Sequence, residues 1–199
     1  MKRRVIQLAI ISAVIAAAVL VNNWRLAQEI SSRRAPQLPE KAWSVFSPAW
    51  GDFQVLMPEK PDVQHVEMTV DGAPVVLTLY TSSDSLTSYS VGYFHYPETT
   101  LKQSTPEDLL AASRSNLLAT QGSPPLVDER GVFYGHPGRQ MAFENTQKEQ
   151  RIGVRFFIAG SRCFQLVYTA YLPAMNQSKV DQFFSSFQTT STKPSNGRQ

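Results

Sequence analysis

The sequence predicts an α+β domain in which a mostly antiparallel β-sheet is packed between helices, and three features lead to this prediction. The two-residue turn signals Asp71-Gly72 and Gly160-Ser161 each join two segments of alternating apolar residues, which is typical of β-hairpins. Two other segments repeat their apolar residues at helical spacing. The 199 residues are 42% hydrophobic and 18% charged, enough apolar side chains for one packed core.

Eight strands are predicted, four before the first helix and four between the two helices. Along one of them Val75, Leu77 and Leu79 are expected on one face, and Val76, Thr78 and Tyr80 on the other. Gly135-His136-Pro137 separates the fifth strand from the sixth. The predicted strands are residues 53–57, 63–70, 73–81, 87–96, 125–134, 138–145, 151–159 and 162–171. Because the turns are short, neighbouring strands are expected to pair antiparallel.

Two helices are predicted, both packed on the sheet. The first spans residues 106–121, because Thr105 is a typical N-cap, Pro106 suits the first helical position and Gly122 suits the C-terminal stop. The second spans residues 174–188. Its apolar side chains follow i, i+3, i+4, i+7 spacing and are Val180, Phe183, Phe184 and Phe187.

The amino-terminal segment carries features of a membrane anchor or a signal peptide. Lys2, Arg3 and Arg4 precede residues 5–21, which hold no charge and would span roughly 26 Å as a helix. Small residues at 16–18 would suit cleavage, but the apolar run continues past them and Trp24 follows, so an uncleaved anchor is favoured. Both alternatives place the domain outside the cytoplasm, in a periplasm or thylakoid lumen; cleavage would make it a secreted protein.

The predicted organisation has four parts. Residues 1–29 form the signal-anchor, residues 30–42 a polar linker with two prolines, residues 43–188 the α+β domain and residues 189–199 a polar tail.

The charge distribution argues against nucleic-acid binding. The chain has a formal net charge of +3, but residues 1–34 hold six basic side chains and one acidic one. Residues 35–199 hold 13 basic and 15 acidic side chains, so no overall basic field surrounds the domain. The single cysteine, Cys163, excludes an internal disulfide, a multi-cysteine zinc site and a lipoprotein signal.

The sequence contains no recognised catalytic motif. Neither the Gly-x-Ser-x-Gly elbow of serine hydrolases nor a glycine-rich phosphate-binding loop occurs. Cys163 is expected on one strand face with Gln165 and Val167, so we interpret it as a packed thiol rather than the nucleophile of a Cys–His pair. We therefore predict a protein that is not an enzyme, with an unrecognised hydrolase as the weakest alternative.

The histidines do not predict a metal site. His95 with Glu98, and His65 with Glu67, would each need a third ligand from elsewhere in the fold, and isolated surface histidines are the favoured interpretation. No metal or cofactor is predicted.

Two segments are candidate binding sites. The glycine-rich bend at residues 135–138 is predicted to present Tyr134, His136 and Arg139, although a purely structural bend or bulge is the favoured alternative. Trp43 and Trp50 belong to an aromatic cluster after the linker, which either caps the core or leaves an apolar patch for a partner.

Several short motifs resemble the PsbP-like domains of bacteria and plastids, which share a fold with Ran-binding Mog proteins. The resemblance covers about residues 43–188. The motifs are Trp43-x-x-Phe46-Ser47-Pro48 with Gly51-x-Phe53-x-Val55 and Pro58-x-x-Pro61, then Gly135-His136-Pro137-Gly138-Arg139-Gln140, Arg162-Cys163-Phe164-Gln165-Leu166 and Phe183-Phe184-Ser185-Ser186-Phe187. In such domains, the glycine-rich turn and the final helix resemble structural signatures rather than catalytic ones.

The resemblance implies a non-enzymatic accessory, assembly or binding module beside a membrane protein complex. The best-known members lie on the lumenal face of photosystem II, so a photosynthetic complex is one candidate partner. The amino-terminal segment is expected to be retained as an anchor, which differs from a plastid transit peptide. The alternative function is an extracytoplasmic carrier of a small ligand or metal, with a pocket near His95 and Glu98 or near His136 and Arg139.

Overall fold

The computed structural model describes residues 42–49, 53–84 and 86–190. The strands are β1 (Ser44–Phe46), β2 (Phe53–Met57), β3 (Asp62–Val70), β4 (Ala73–Asp84), β5 (Thr87–His95), β6 (Val127–Phe133), β7 (His136–Asn145), β8 (Gln150–Ala159), β9 (Arg162–Tyr171) and β10 (Gln188–Thr189). The helices are α1 (Glu98–Gln103), α2 (Pro106–Gln121) and α3 (Gln177–Ser186), with a 3-10 helix at Leu172–Ala174. The predicted α+β class with a mostly antiparallel sheet is confirmed.

Seven strands form one antiparallel sheet with the order β3-β4-β5-β9-β8-β7-β6. A second, three-stranded antiparallel sheet has the order β1-β2-β10. The strand at residues 53–57 was expected to add to the main sheet, but as β2 it is the centre of this small sheet. β1 and β10 were not predicted, because strands of three and two residues are too short to show an alternating pattern.

The helix α2 covers one face of the main sheet, which we call the α2 face. Thr105 and Asp108 form a reciprocal capping box at its start, and Gly122 ends it with φ of 64°, as the sequence predicts. Leu109, Leu110 and Leu117 are buried against the sheet. The strand residues of this core are Val70, Val75, Leu77, Leu79, Phe94, Met141, Phe143, Ile152, Val154, Phe156, Ile158, Cys163 and Val167.

The helix α3 and the small sheet cover the opposite face, which we call the α3 face. Both elements contribute rings and aliphatic side chains to a second core, so the main sheet is buried on both sides. The members of this core are Phe53, Val55, Met57, Tyr80, Tyr89, Val91, Phe157, Phe164, Leu166, Tyr168, Ala170, Val180, Phe183, Phe184 and Phe187.

The main differences from the sequence prediction concern one turn and two helices. The turn between β6 and β7 consists of Tyr134 and Gly135, both with positive φ (54° and 83°), so the strand resumes at His136 and includes Pro137. The last helix begins at Gln177 rather than residue 174, because a 3-10 turn precedes it and Asn176 caps it. The short helix α1, after Pro97, was not predicted.

No helix among the described residues is long and apolar enough to cross a lipid bilayer. The predicted signal-anchor, residues 1–29, and the predicted linker, residues 30–42, lie outside the described residues except for residue 42.

Candidate binding site

The structure separates the three residues that the sequence grouped at the glycine-rich bend. Tyr134 and His136 lie on the α3 face, where the His136 ring stacks on Phe157 with centroids 5.8 Å apart. Arg139 lies on the opposite face of β7 and is buried. The expected exposed edge of three side chains is therefore not formed, because odd and even positions of a strand point to opposite faces. A binding role for each residue stays a prediction.

Arg139 is buried and belongs to an ion cluster on the α2 face with the half-buried Asp128 and Arg114. Its Nη1 donates to Asp128 Oδ1, and Arg114 Nε donates to Asp128 Oδ2 at 2.6 Å. Burial alone would raise the pKa of Asp128, but the hydrogen bonds and charges of Arg114 and Arg139 outweigh it, and the net pKa is lowered. The cluster ties β6 and β7 to α2 at the end of the sheet, which is a structural role.

Replacing Asp128 by asparagine is expected to lower the free energy of unfolding by about 2 kcal/mol near neutral pH, because two guanidinium groups lose their carboxylate. Since the pKa of Asp128 is lowered on folding, this contribution is complete above the unfolded pKa of about 3.9 and is lost as pH falls through the folded pKa. Urea unfolding of the natural chain and of Asp128→Asn, from about pH 7 to about pH 2, measures whether their free energies of unfolding become equal at low pH. A constant difference across that range would contradict it.

Trp43 attaches the beginning of the domain to the α3 face. Its Nε1 donates to Asp84 Oδ2 at 3.2 Å, and its ring packs edge-on against Tyr89 with centroids 4.9 Å apart. Lys179 of α3 lies over the ring, with its Nζ 5.2 Å from the centroid. The half-buried Trp43 therefore holds the chain where the predicted linker ends. Trp50 lies outside the described residues.

The thiol of Cys163 is buried, and burial raises its pKa to about 12. It shares the α2 face with Val167, as the sequence predicts. His95 and His65 lie near hydroxyl groups, with Nδ1 3.3 Å from Ser161 Oγ and 3.2 Å from Thr78 Oγ1, respectively. Among the described residues, no group of three or more His, Cys, Asp or Glu side chains is placed to hold a metal ion.

A pocket of about 290 Å³ opens on the α3 face between α3 and strands β6, β7 and β8. Ala142 and Gly153 are paired in register on neighbouring strands at the floor of the pocket. The Tyr168 ring lies directly over Gly153, where an added Cβ would be only 2.0 Å from Tyr168 Cε1. The floor of the pocket is therefore formed by Ala142 and by the Tyr168 ring, which occupies the space above Gly153.

Arg155 forms the polar wall of this pocket. Its Nε and Nη2 donate to Gln140 Oε1 at 3.1 and 2.6 Å, and its Nη1 donates to the Tyr134 hydroxyl at 3.0 Å. The guanidinium also lies 4.4 Å from the ring centre of Phe184 and 4.8 Å from that of Phe133. These contacts hold the cation in one orientation.

The helix wall of the pocket carries an acidic side chain. Asp181 accepts a hydrogen bond from Gln177 at 2.8 Å, and both residues line the pocket. Burial raises the pKa of Tyr168, the nearby Arg151 lowers it and Asp181 raises it further. The Arg151 charge is paired with Glu144 at 2.7 Å.

This pocket could not be predicted from the sequence. Its floor depends on the register that pairs Ala142 with Gly153, and its wall depends on Arg155 facing the same side as Gln140. The one available signal was Gly153 itself, an isolated glycine in the middle of a strand, which often marks a close approach of another group.

No protein-family model matches the chain, and no curated protein sequence matches it. Among solved structures, the chain is similar to the solution structure of cyanobacterial PsbP (CyanoP) from Synechocystis sp. PCC 6803, with 13% sequence identity and a TM-score of 0.49. The similarity covers 79% of this chain and 98% of that chain. A shared function does not follow from similarity at this level.

Proposed function

We propose that the chain is a PsbP-like accessory module without enzymatic activity, tethered by its amino-terminal segment to the outer side of a membrane, where it binds or helps to assemble a membrane protein complex. One observation carries the proposal: motif segments far apart in the sequence meet in one core on the α3 face.

The motif residues define this core between them. Phe53 and Val55 come from the first motif, Phe164 from the third and Phe183 and Phe187 from the last. The rings of Phe53 and Phe187 stack with centroids 5.4 Å apart, and Phe53 and Phe164 meet edge-on at 6.1 Å. The residues of the PsbP-like motifs therefore position the small sheet and α3 on the main sheet. This packing supports a PsbP-like architecture for the domain.

The second motif contributes a close approach between two strands. A Cβ on Gly138 would lie 2.6 Å from the Phe156 carbonyl oxygen and 2.7 Å from Phe157 Cβ. Only glycine fits such a position without displacing the neighbouring backbone. The glycine-rich segment is thus explained by packing, which supports a structural signature rather than a catalytic loop.

The attachment of Trp43 supports a tethered arrangement. The predicted linker ends at residue 42, and the next residue is already fixed to Asp84, Tyr89 and α3. A linker of about 13 residues reaches at most about 45 Å when fully extended, which would keep the domain close to the bilayer. The apolar segment at residues 5–21 supplies the proposed anchor.

Native electrophoresis of mildly solubilised membranes tests the proposal. The full chain, about 22.2 kDa, is expected to migrate in a much larger complex. The matched control replaces residues 1–30 with a cleavable signal peptide, which keeps the domain on the same side without the tether, and we expect it to lose most of the association. Migration of both proteins as free chains would overturn the proposal.

A second candidate function, a carrier of a small ligand, is favoured by the 290 Å³ pocket beneath α3. Its lining includes neither of the residue pairs that the sequence suggested, His95 with Glu98 and His136 with Arg139. A carrier would gain thermal stability with its ligand, since binding only to the native state stabilises it.

A further inference from the structure

We propose that the pocket between α3 and strands β6, β7 and β8 binds a carboxylate group attached to a short aliphatic body, with Arg155 as the recognition residue. The proposal concerns a ligand site and is independent of the accessory role proposed above.

Arg155 brings a positive charge to the wall of the pocket. Its three hydrogen bonds go to the neutral acceptors Gln140 Oε1 and Tyr134 OH, and among the described residues no carboxylate pairs with it. A half-buried cation without a counter-ion has lost part of its hydration without an ionic partner. A ligand anion in the pocket would supply that partner, and the remaining N–H groups on Nη1 and Nη2 provide donors for it.

The size and the lining of the pocket suit a short aliphatic group. Val127, Ala142, Val180 and Phe184 give the pocket an apolar interior next to the guanidinium. A volume of about 290 Å³ lies at the lower end for ligand pockets, which favours a body the size of one amino-acid side chain over a drug-sized molecule.

The charged side chains around the pocket limit the number of negative charges that a ligand can carry. Asp181 lies in the same pocket on α3, and the charge of Arg151 is already paired with Glu144. A second negative group on the ligand would therefore meet Asp181 without a free cation to compensate. The pocket is expected to prefer a monocarboxylate over a dicarboxylate.

A carboxylate on a short aliphatic body occurs both in a free short-chain acid and at the carboxyl terminus of a peptide. The probes are 4-methylpentanoate and N-acetyl-Ala-Ala-Leu with a free carboxylate, and the matched neutral compounds are 4-methylpentanamide and the same peptide amidated. Binding to the full chain in detergent is followed by the thermal unfolding midpoint. Stabilisation by both acids assigns the site to peptide termini, and stabilisation by the free acid alone assigns it to a small metabolite.

We expect a dissociation constant of about 1 mM for the carboxylate, in keeping with eight non-hydrogen atoms, and at least about tenfold weaker binding of the amide. Arg155→Gln is expected to abolish this preference. Ala142→Leu fills the floor of the pocket without removing a polar contact, and it should weaken binding of the carboxylate about tenfold as well. This second variant keeps the test valid if Arg155→Gln does not fold.

Lys148→Gln is the matched control, since it removes an exposed positive charge on the loop between β7 and β8. It should bind the carboxylate as the natural chain does. Equal stabilisation by acid and amide, or unchanged binding in Ala142→Leu, would overturn the proposal.

Discussion

Replacing Phe53 by alanine is expected to lower the free energy of unfolding by about 4 kcal/mol. Phe53 is fully buried, and its ring meets those of Tyr80 at 5.7 Å, Phe164 at 6.1 Å and Phe187 at 5.4 Å. Alanine would leave a cavity where β2, α3 and the main sheet converge. Because domains are stable by only about 5–15 kcal/mol, urea denaturation should show a large shift of the midpoint.

Two further variants show whether the loss comes from the core. Phe53→Leu keeps most of the apolar volume and is expected to cost about 1.5 kcal/mol. Val45→Ala removes an apolar side chain that is 66% exposed in the same small sheet, and we expect a change of less than about 0.5 kcal/mol. Similar losses in Phe53→Ala and Val45→Ala would mean that the small sheet is not packed as described.

Replacing Gly138 by alanine is expected to cost about 3 kcal/mol, although only one methyl group is added. The new Cβ would lie 2.6 Å from the Phe156 carbonyl oxygen and 2.7 Å from Phe157 Cβ. Both atoms are fixed by the pairing of β7 with β8, so a rotamer change cannot relieve the contact. The urea-unfolding midpoint measures the loss.

Gly131 provides the matched control because it is paired directly with Gly138 across the β6–β7 ladder. A Cβ at Gly131 would lie no closer than 3.3 Å to the nearest atom, the end of the Phe133 ring. We expect Gly131→Ala to change the free energy of unfolding by less than about 1 kcal/mol. Equal effects at the two positions would contradict the close approach at Gly138.

The sequence predicted the elements that have strong local signals. The Asp71-Gly72 turn takes positive φ at both residues, and α2 begins after Thr105 and ends before Gly122 as expected. These elements are determined by residues close together in the chain, where capping and turn preferences act directly. The alternation in β8 likewise predicted that Val154 and Phe157 occupy opposite faces, as they do.

The small sheet could not be predicted, because its strands are held by contacts between distant segments. Gln188 of β10 pairs with Gln54 of β2, and the two side chains also form a hydrogen bond of 2.8 Å. A strand of two residues has no period of its own. Its existence depends on the placement of α3, which brings the end of the domain beside β2.

The candidate site depends on strand pairing and on the placement of α3 even more strongly than the small sheet does. The composition of residues 134–139 predicted a bend that presents its polar side chains together. In the structure, Arg139 contacts Asp128 on one side of β7, while His136 stacks on Phe157 on the other. The pocket instead combines Arg155, the small pair Ala142 and Gly153, and α3. Its polar wall and its floor each combine residues of β7 and β8, and α3 closes it from a distant part of the chain, so no short motif could reveal it.

The topology of the full chain in a membrane is the most direct test of a tethered extracytoplasmic module. A reporter that is active only outside the cytoplasm is fused after Gln199, and protease is added to intact spheroplasts. We expect an active reporter and digestion of the domain, because residues 5–21 are too apolar to stay in water and Lys2, Arg3 and Arg4 are costly to carry across a bilayer. A reporter active only inside the cytoplasm, together with full protection from protease, would contradict it.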